Sequence, residues 1–247
     1  MDLTSLKHFL KTRSPNWVLE KIGSVALLRQ LTGVGYYGLF KLDRKIAPYL
    51  PKRNGFFVEL GANDGISQSN TYHFEKYKNF SGLLIEPIPE KYQECKRNRS
   101  EKNYFANCAC VSFEYESPTV ELLFSNLMTT TLDGSSDILD RHGHAKSGER
   151  LLKNQVYKFE IQAKTLNSLL IDAGAPNQID LLSLDVEGSE LEVLMGIDFD
   201  RFKFTVICIE SRDINRITSF LQGKNYQLLK KISIHDYLFG LVEIDSK

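Results

Sequence analysis

From residue 56 onward the chain switches between two hydrophobic periods. Short apolar runs occur at 56–60 (FFVEL), 82–86 (GLLIE), 104–111 (YFANCACV), 179–185 (IDLLSLD) and 204–210 (FTVICIE), and these read as strands. Between most of them the spacing is helical. Residues 90–99 are polar with apolar or aromatic spacing, and 165–174 open on a threonine cap and close on a glycine. Residues 188–197 carry Leu191, Val193, Leu194 and Ile197 on one side with acids at the start, and 214–224 again stop at a glycine. This alternation predicts an α/β fold, a mostly parallel twisted sheet with helices on both faces. The strands are near-continuous apolar runs, as strands covered on both faces should be.

Two other regions break the pattern. In 225–244 two β-like runs are joined by SIHD with no helix between them, which predicts an antiparallel pair at the sheet edge. Residues 111–124 look like two strands around Ser117–Pro118, and 125–150 form a long polar stretch rich in Ser, Thr and Gly, of the kind that makes a lid, a binding loop or a disordered segment. Ahead of the alternation, residues 1–53 read as a helical extension packed on the core, and 54–247 as the main domain. The stretch 17–40 is apolar enough to dock on the core, a partner or a membrane surface, and the core is the expected one.

At 247 residues and 42% hydrophobic content the chain suits one α/β domain with a sizeable core. Its 31 basic and 31 acidic residues cancel, so no global charge favours nucleic acid or an anionic membrane. Cysteines stand at 95, 108, 110 and 208; C-x-C at 108–110 lies in an apolar stretch and reads as buried thiols in a reducing compartment, rather than a disulfide or zinc site. The five histidines are scattered. No signal peptide is visible and no 18 apolar residues run together, so a cytoplasmic protein without a transmembrane helix is expected.

Candidate chemistry sits at strand ends. The segment VELGANDG places Gly61 for a sharp turn after the first strand and Gly65 for close backbone approach. Its spacing is E-x-G-x-x-x-G, with Asn63 where a dinucleotide fingerprint has the glycine that admits a pyrophosphate. An NAD(P)-dependent oxidoreductase is therefore the weaker reading. Glu86 ends the second strand, held there by Pro87 and Pro89, and an acid at that place suits the two donors of a ribose diol. A ribose without pyrophosphate suggests S-adenosylmethionine, with Glu59 near its methionine part. In LDVEGSE, Asp185 and Glu187 share one face if the extended chain persists through Val186, while Glu190 suits the first helical turn. Asp185 and Glu187 could position cofactor and acceptor, act as general base, or hold a divalent cation. The first two readings are favoured, and no metal ligand is assigned.

These strings carry a resemblance. VELGANDGISQSNT, GLLIEPIPEKY and IDLLSLDVEGSELEVLMGI are similar to the FkbM-type S-adenosylmethionine-dependent methyltransferases, over roughly residues 54–244. The resemblance implies a Rossmann-like class I methyltransferase fold ending in an antiparallel strand. It implies O-methylation of sugars, polyketide-type products or related metabolites. It also implies roles residue by residue. Glu59, Gly61, Ala62, Asn63, Asp64 and Gly65 would form the first cofactor loop, and Ser69, Asn70 and Thr71 would reach the methionine carboxylate. Glu86 would take the ribose, Cys108 and Ala109 would lie near the adenine, and Asp185 and Glu187 would face the methyl group.

Methyl transfer from a sulfonium is an in-line displacement that needs alignment and, for a hydroxyl acceptor, a base. Asp185, Glu187 or His235 could take that proton. Glu210 is a further strand-tip acid, either on the ligand side or simply solvated. Arg141, His142, His144, Lys146 and Arg150 form a basic cluster, read either as a solvated surface or as a site for a phosphate or sugar acid on the acceptor. Methylation of nitrogen and a non-catalytic binding module remain as alternatives.

Overall fold

A computed structural model describes residues 35–124, 130–131 and 157–242. In chain order these form α1 (Leu42–Ile46), β1 (Phe56–Leu60), α2 (Tyr72–Lys78), β2 (Ser81–Ile85), α3 (Pro89–Asn98) and β3 (Tyr104–Ala106). Then come β4 (Ala109–Val111), β5 (Thr119–Phe124), β6 (Thr130–Thr131), β7 (Tyr157–Thr165) and α4 (Leu166–Asp172). The chain continues with β8 (Gln178–Leu184), α5 (Glu190–Met195), β9 (Lys203–Glu210), α6 (Ile214–Gln222), β10 (Tyr226–Lys231) and β11 (Asp236–Leu241).

Seven strands make the main sheet, in the order β10-β11-β9-β8-β1-β2-β3. β1 pairs in parallel with β2 and β8, β2 with β3, and β8 with β9, whereas β11 runs antiparallel to both β9 and β10. The strand order turns back on itself between β1 and β8, which is where an open α/β sheet leaves a crevice beyond its carboxyl ends.

The apolar runs explain why both faces are covered. Successive side chains of a strand point to opposite faces. Val58, Leu60, Leu83, Ile85, Leu182 and Ile207 fall in one buried cluster, with Leu166, Leu170, Val193, Leu194, Ile217 and Leu221 of α4, α5 and α6 laid over them. Their neighbours Phe57, Leu84, Leu181, Val206 and Cys208 fall in a second cluster, covered by Leu42, Ile46, Phe74 and Cys95 from α1, α2 and α3. At α4 the cap is the expected one, with Thr165 Oγ1 accepting from Ser168 N.

The predicted α/β architecture and the antiparallel C-terminal pair are both present. Three local expectations change. The run 104–111 is two strands: β3 closes the main sheet and β4 starts a second one. The break is pinned by Asn107, whose Nδ2 donates to the carbonyls of Glu86 and Pro87. Of the two strands expected around Ser117–Pro118 only the second is present, as β5; residues 112–118 carry no strand, and β5 pairs with β7, as β4 does, in the sheet β4-β7-β5-β6. Neither β7 nor α2 stands out in the hydrophobic pattern. β7 reads YKFEIQAKT, and its described side chains are at most half-buried, so it lacks the apolar run that marked the central strands. Of the N-terminal extension, residues 35–53 are described, and Leu42, Ile46 and Leu50 bury against the second cluster. The rest of that extension, nearly all of the 125–150 stretch and the cluster Arg141, His142, His144, Lys146 and Arg150 lie outside the described residues.

Candidate active site

The loop after β1 is shaped by backbone demands. Gly61 has φ +75, and a Cβ there would sit 2.2 Å from the carbonyl oxygen of Asp185. Only a glycine lets the tips of β1 and β8 come this close. The amides of Gly61 and Ala62 both donate to Ile85 O at 3.1 Å, which ties the turn to the end of β2. Asn63 is left-handed at φ 49, and its amide donates to Glu86 Oε2 at 2.7 Å. Asp64 Oδ1 accepts from the amides of Ile66 and Ser67, closing the turn, and Gly65 packs against Arg99 and Cys95.

A cavity of ≈ 400 Å³ opens at the carboxyl ends of β1, β2, β8 and β9, with β4 and β5 of the second sheet as one wall. That volume lies within the range of small-ligand pockets. Of the residues expected at the site, Gly61, Asn63, Ser69, Glu86, Cys108, Ala109, Asp185 and Glu187 line it. Others shape it from behind. Ala62 packs in the second core cluster, and Asp64 and Gly65 set the turn.

Glu59 lies apart from these. It does not line the cavity; it is 3% exposed and accepts from Ser69 Oγ, Asn70 N, Thr71 Oγ1 and Arg99 Nη1. Thr71 is held in that network, and Asn70 Nδ2 donates to Ser183 Oγ, so of the Ser69–Thr71 stretch only Ser69 lines the cavity. The organiser of the network is Arg99, whose side chain is fully buried. Besides Glu59 it donates to Glu75 Oε2 at 2.8 Å, Gly65 O at 3.0 Å and Thr71 Oγ1 at 3.0 Å. Nothing in the sequence marked Arg99, which stands in a KRNRS run that reads as a solvated helix end.

At the other end of the cavity floor acids gather. Glu86 is 4% exposed, and its other oxygen accepts from Ile88 N at 2.9 Å. Burial pushes its carboxyl up to about 7, against the pull of the Ile88 and Asn63 amides. Asp185 is pushed well above the usual carboxylate range by the protein packed around it, then by Glu210, Glu187, Glu190 and Asp236. Its side chain still opens to the cavity, so water there screens these charges until a ligand displaces it. Glu210, which also lines the cavity, is raised by burial and by the negative charges of Glu187 and Asp236.

The paired strand stops before Asp185, and the chain turns at Glu187. β8 ends at Leu184, and Glu187 is left-handed at φ 53. Glu187 reaches the cavity by this turn, with Arg212 Nη2 at 3.9 Å. Glu190 is the capping acid expected of it, accepting from Val186 N and Gly188 N at 3.1 Å each. His235 also stands outside the lining. It is exposed in the turn between β10 and β11 and does not line the cavity. Cys108 and Cys110 both line the cavity, and all four cysteines are buried and free. Among the described residues no group of three or more His, Cys, Asp or Glu is placed to hold a metal ion, and no helix is long and apolar enough to cross a membrane.

Residues fit for an adenosyl ligand are present. Glu86 offers a carboxylate at the tip of β2, and Asn63 lines the cavity with its Oδ1 buried and without a hydrogen-bond partner. An atom in that state needs a donor, and ribose hydroxyls supply donors.

Comparison with known proteins gives a family. The methyltransferase FkbM domain matches residues 59–228. Methyltransferase sdnD of Sordaria araneosa is 29% identical over 165 residues, covering 61% of this chain and 63% of that protein. Methyltransferase 1 of Beauveria bassiana (strain ARSEF 2860) is 22% identical over 198 residues, covering 73% and 75%. Among solved structures, methyltransferase FkbM from Methylobacillus flagellatus KT has 16% identity and a TM-score of 0.45, covering 76% of this chain and 43% of that one. A methyltransferase from Geobacter sulfurreducens has 13% identity and a TM-score of 0.43, covering 97% and 96%. The chain thus spans less than two thirds of the Sordaria relative and less than half of the Methylobacillus chain. The domain match takes in Gly61, Glu86, Asp185, Glu187 and Glu210 and ends before His235, and on it the chain belongs to the FkbM methyltransferases, a family of S-adenosylmethionine-dependent enzymes.

Proposed function

We propose that the protein methylates a hydroxyl group of a sugar, glycan or related small metabolite, with S-adenosylmethionine as donor. The observation that carries this reading is the placement of Glu86 and Asp185 on one cavity, at the tips of β2 and β8 on either side of the glycine turn. Glu86, steadied by the Asn63 and Ile88 amides, receives the ribose diol. Cys108 and Ala109 flank the adenine side, and Ser69 the methionine side. When bound, the cofactor supplies a methyl group already activated as a sulfonium substituent.

The protein's part is alignment and a proton acceptor. Gly61 brings the β1 tip against Asp185, which fixes the floor on which the acceptor oxygen must lie. Asp185, Glu187 and Glu210 face that space and can hold the proton that a hydroxyl acceptor loses. The same acids would also receive an amine, so the acceptor panel has to contain both.

The test is transfer of labelled methyl from S-adenosylmethionine to a panel of sugars, hydroxylated metabolites and amines, with calorimetry of S-adenosylhomocysteine and NADH alongside. Label on hydroxylated acceptors is the expected result. Label confined to amines would move the acceptor class, and binding of NADH without S-adenosylhomocysteine would sink the reading.

A further inference from the structure

Leu39 and Phe40 are large apolar side chains that stay 47% and 57% exposed, although Tyr37 and Leu42 on either side of them are buried. The segment is anchored at both ends. His73 of α2 stacks on Tyr36, Tyr72 packs edge-on against Tyr37, and Lys76 Nζ donates to the Tyr37 hydroxyl. Beyond Phe40, the fully buried Asp43 accepts from the amides of Tyr37 and Arg44.

Between these anchors the backbone makes a strained turn. Lys41 N donates to Gly38 O at 3.0 Å, and Phe40 and Lys41 are both left-handed, at φ 48 and φ 57. The third position of such a turn favours glycine, and a phenylalanine there carries a steric cost. A β-bridge joins Gly38 to Gln68 in the loop after β1, and a Cβ on Gly38 would stand 2.6 Å from Asn70 Oδ1. Held in this way, Leu39 lines the cavity together with Ser67, Gln68 and Ser69. Backbone strain that the surroundings maintain at a ligand cavity points to a use for the position.

The side of the cavity matters. Asn70 Nδ2 donates to Ser183 Oγ of β8, so this part of the loop lies on the β8 side of the glycine turn. Asp185 stands on that side, and Glu86 stands on the other, at the tip of β2. Leu39 is therefore on the side proposed for the acceptor oxygen and away from the ribose.

We propose that Leu39, with Phe40 beside it, is a specificity-determining residue for the acceptor: it receives an alkyl or aryl group next to the hydroxyl that is methylated. This rests on the proposed donor and acceptor and deepens them, because it gives the acceptor a second, hydrophobic recognition element. A fully hydroxylated sugar gains little from covering these side chains. A sugar or metabolite with an apolar flank covers them while its hydroxyl reaches the acidic floor. Removing a leucine side chain from such a contact should weaken binding about tenfold.

The neutral fluorophore N-phenyl-1-naphthylamine tests this on the intact protein saturated with S-adenosylhomocysteine, before any acceptor is known. It should bind, and Leu39→Ser should weaken it about tenfold. Leu39→Met should restore it, and Leu228→Ser, on the exposed edge strand β10, should leave it unchanged. Should Leu39→Ser fail to fold, Phe40→Ser carries the same test. Affinity for S-adenosylhomocysteine, read by calorimetry, should stay the same in the Leu39 variants. On hydroxylated acceptors that take label, Leu39→Ser should raise KM for those with an apolar flank and spare KM for the bare polyols. Failure of the fluorophore to bind, equal binding in Leu39→Ser, or label on bare polyols alone overturns the acceptor assignment and leaves the cofactor reading standing. A parallel loss of S-adenosylhomocysteine affinity in Leu39→Ser also overturns it, by placing Leu39 on the cofactor. No binding of S-adenosylhomocysteine by the unmodified protein overturns the cofactor reading and this inference with it.

Discussion

Two carboxylates one strand apart have opposite fates. Glu59, next to last in β1, is enclosed by Ser69, Asn70, Thr71 and Arg99, every one of them a donor. Asp185, just past the paired end of β8, opens to the cavity, and the charges that bear on it are those of Glu210, Glu187, Glu190 and Asp236. Both are acids beside the same glycine turn. What separates them is the sign of their neighbours. Glu59 has its charge compensated and so holds a loop in place. Asp185 has its charge opposed and so has reason to exchange a proton or attract a cation. An acid at a strand tip is therefore no guide to its role until its partners are known.

The sharpest way to break the comparison is to remove the compensation. In Arg99→Leu, Glu59 and Glu75 stay buried without their cation, and losing one partner of such a network costs about 3–5 kcal/mol. Urea unfolding measures this. Arg99→Lys keeps the charge but cannot donate to Glu59, Glu75, Gly65 and Thr71 together, so it should recover only part of the loss. A loss below ~1 kcal/mol in Arg99→Leu would mean that Glu59 is not held as described.

A smaller effect is expected where the two regions touch. Gly61→Ala puts a Cβ against Asp185 O and forces a side chain into the left-handed region, a cost of about 1–2 kcal/mol from the backbone alone. Moving the β8 tip should lower turnover by roughly 100-fold, because alignment errors near 1 Å have that effect. The check is kcat on the acceptor identified by the panel, with thermal unfolding beside it. A variant that is destabilised but keeps kcat would show that the Gly61–Asp185 contact serves the fold and not the chemistry.

Next comes Glu86. Its carboxyl is pushed up to about 7, so the empty site gains the ionised form as pH rises through that value. The ionised form accepts from both ribose hydroxyls. Affinity for S-adenosylhomocysteine should therefore climb with pH through about 7 and level off above it. Glu86→Gln should bind more weakly by about 1.5–3 kcal/mol at the plateau and lose the pH dependence. Calorimetry across the neutral range reads both. Undiminished binding in Glu86→Gln would remove Glu86 from the cofactor site.

The sheet, its two covered faces and the strand-tip acids were legible because each rests on local signals. Runs such as FFVEL and IDLLSLD carry burial on both faces in their composition, and GANDG carries its turn in its glycines. What could not be read depends on contacts far apart in sequence. Arg99 reaches back 40 residues to Glu59, and Asn70 reaches 113 residues on to Ser183. Glu59 was read as facing ligand because nothing in VELGAND shows that Ser69, Thr71 and Arg99 fold over it. β7 was missed because it alternates charged and apolar residues, and its partners β4 and β5 lie in a small second sheet. The strand did not run on past Leu184 for a local reason: the backbone turns left-handed at Glu187 and again at Gly188, and Glu190 accepts from the amides of Val186 and Gly188.

The smallest effect concerns His235, and its smallness is informative. A histidine near a methyltransferase site invites the role of general base, and the sequence offered it as one. In the fold it lies in the exposed turn between β10 and β11, with its backbone amide donating to Ser233 Oγ and its ring outside the cavity lining. Its influence runs through Asp236, whose carboxyl it helps to hold down against burial. His235→Ala should change stability by no more than about 0.5 kcal/mol and leave turnover near that of the unmodified protein, with at most a slight shift of the pH profile through Asp236. A large fall in kcat with cofactor affinity intact would place an imidazole at the reacting oxygen, and proton transfer would then have to move from the β8 and β9 tips to the β10–β11 turn.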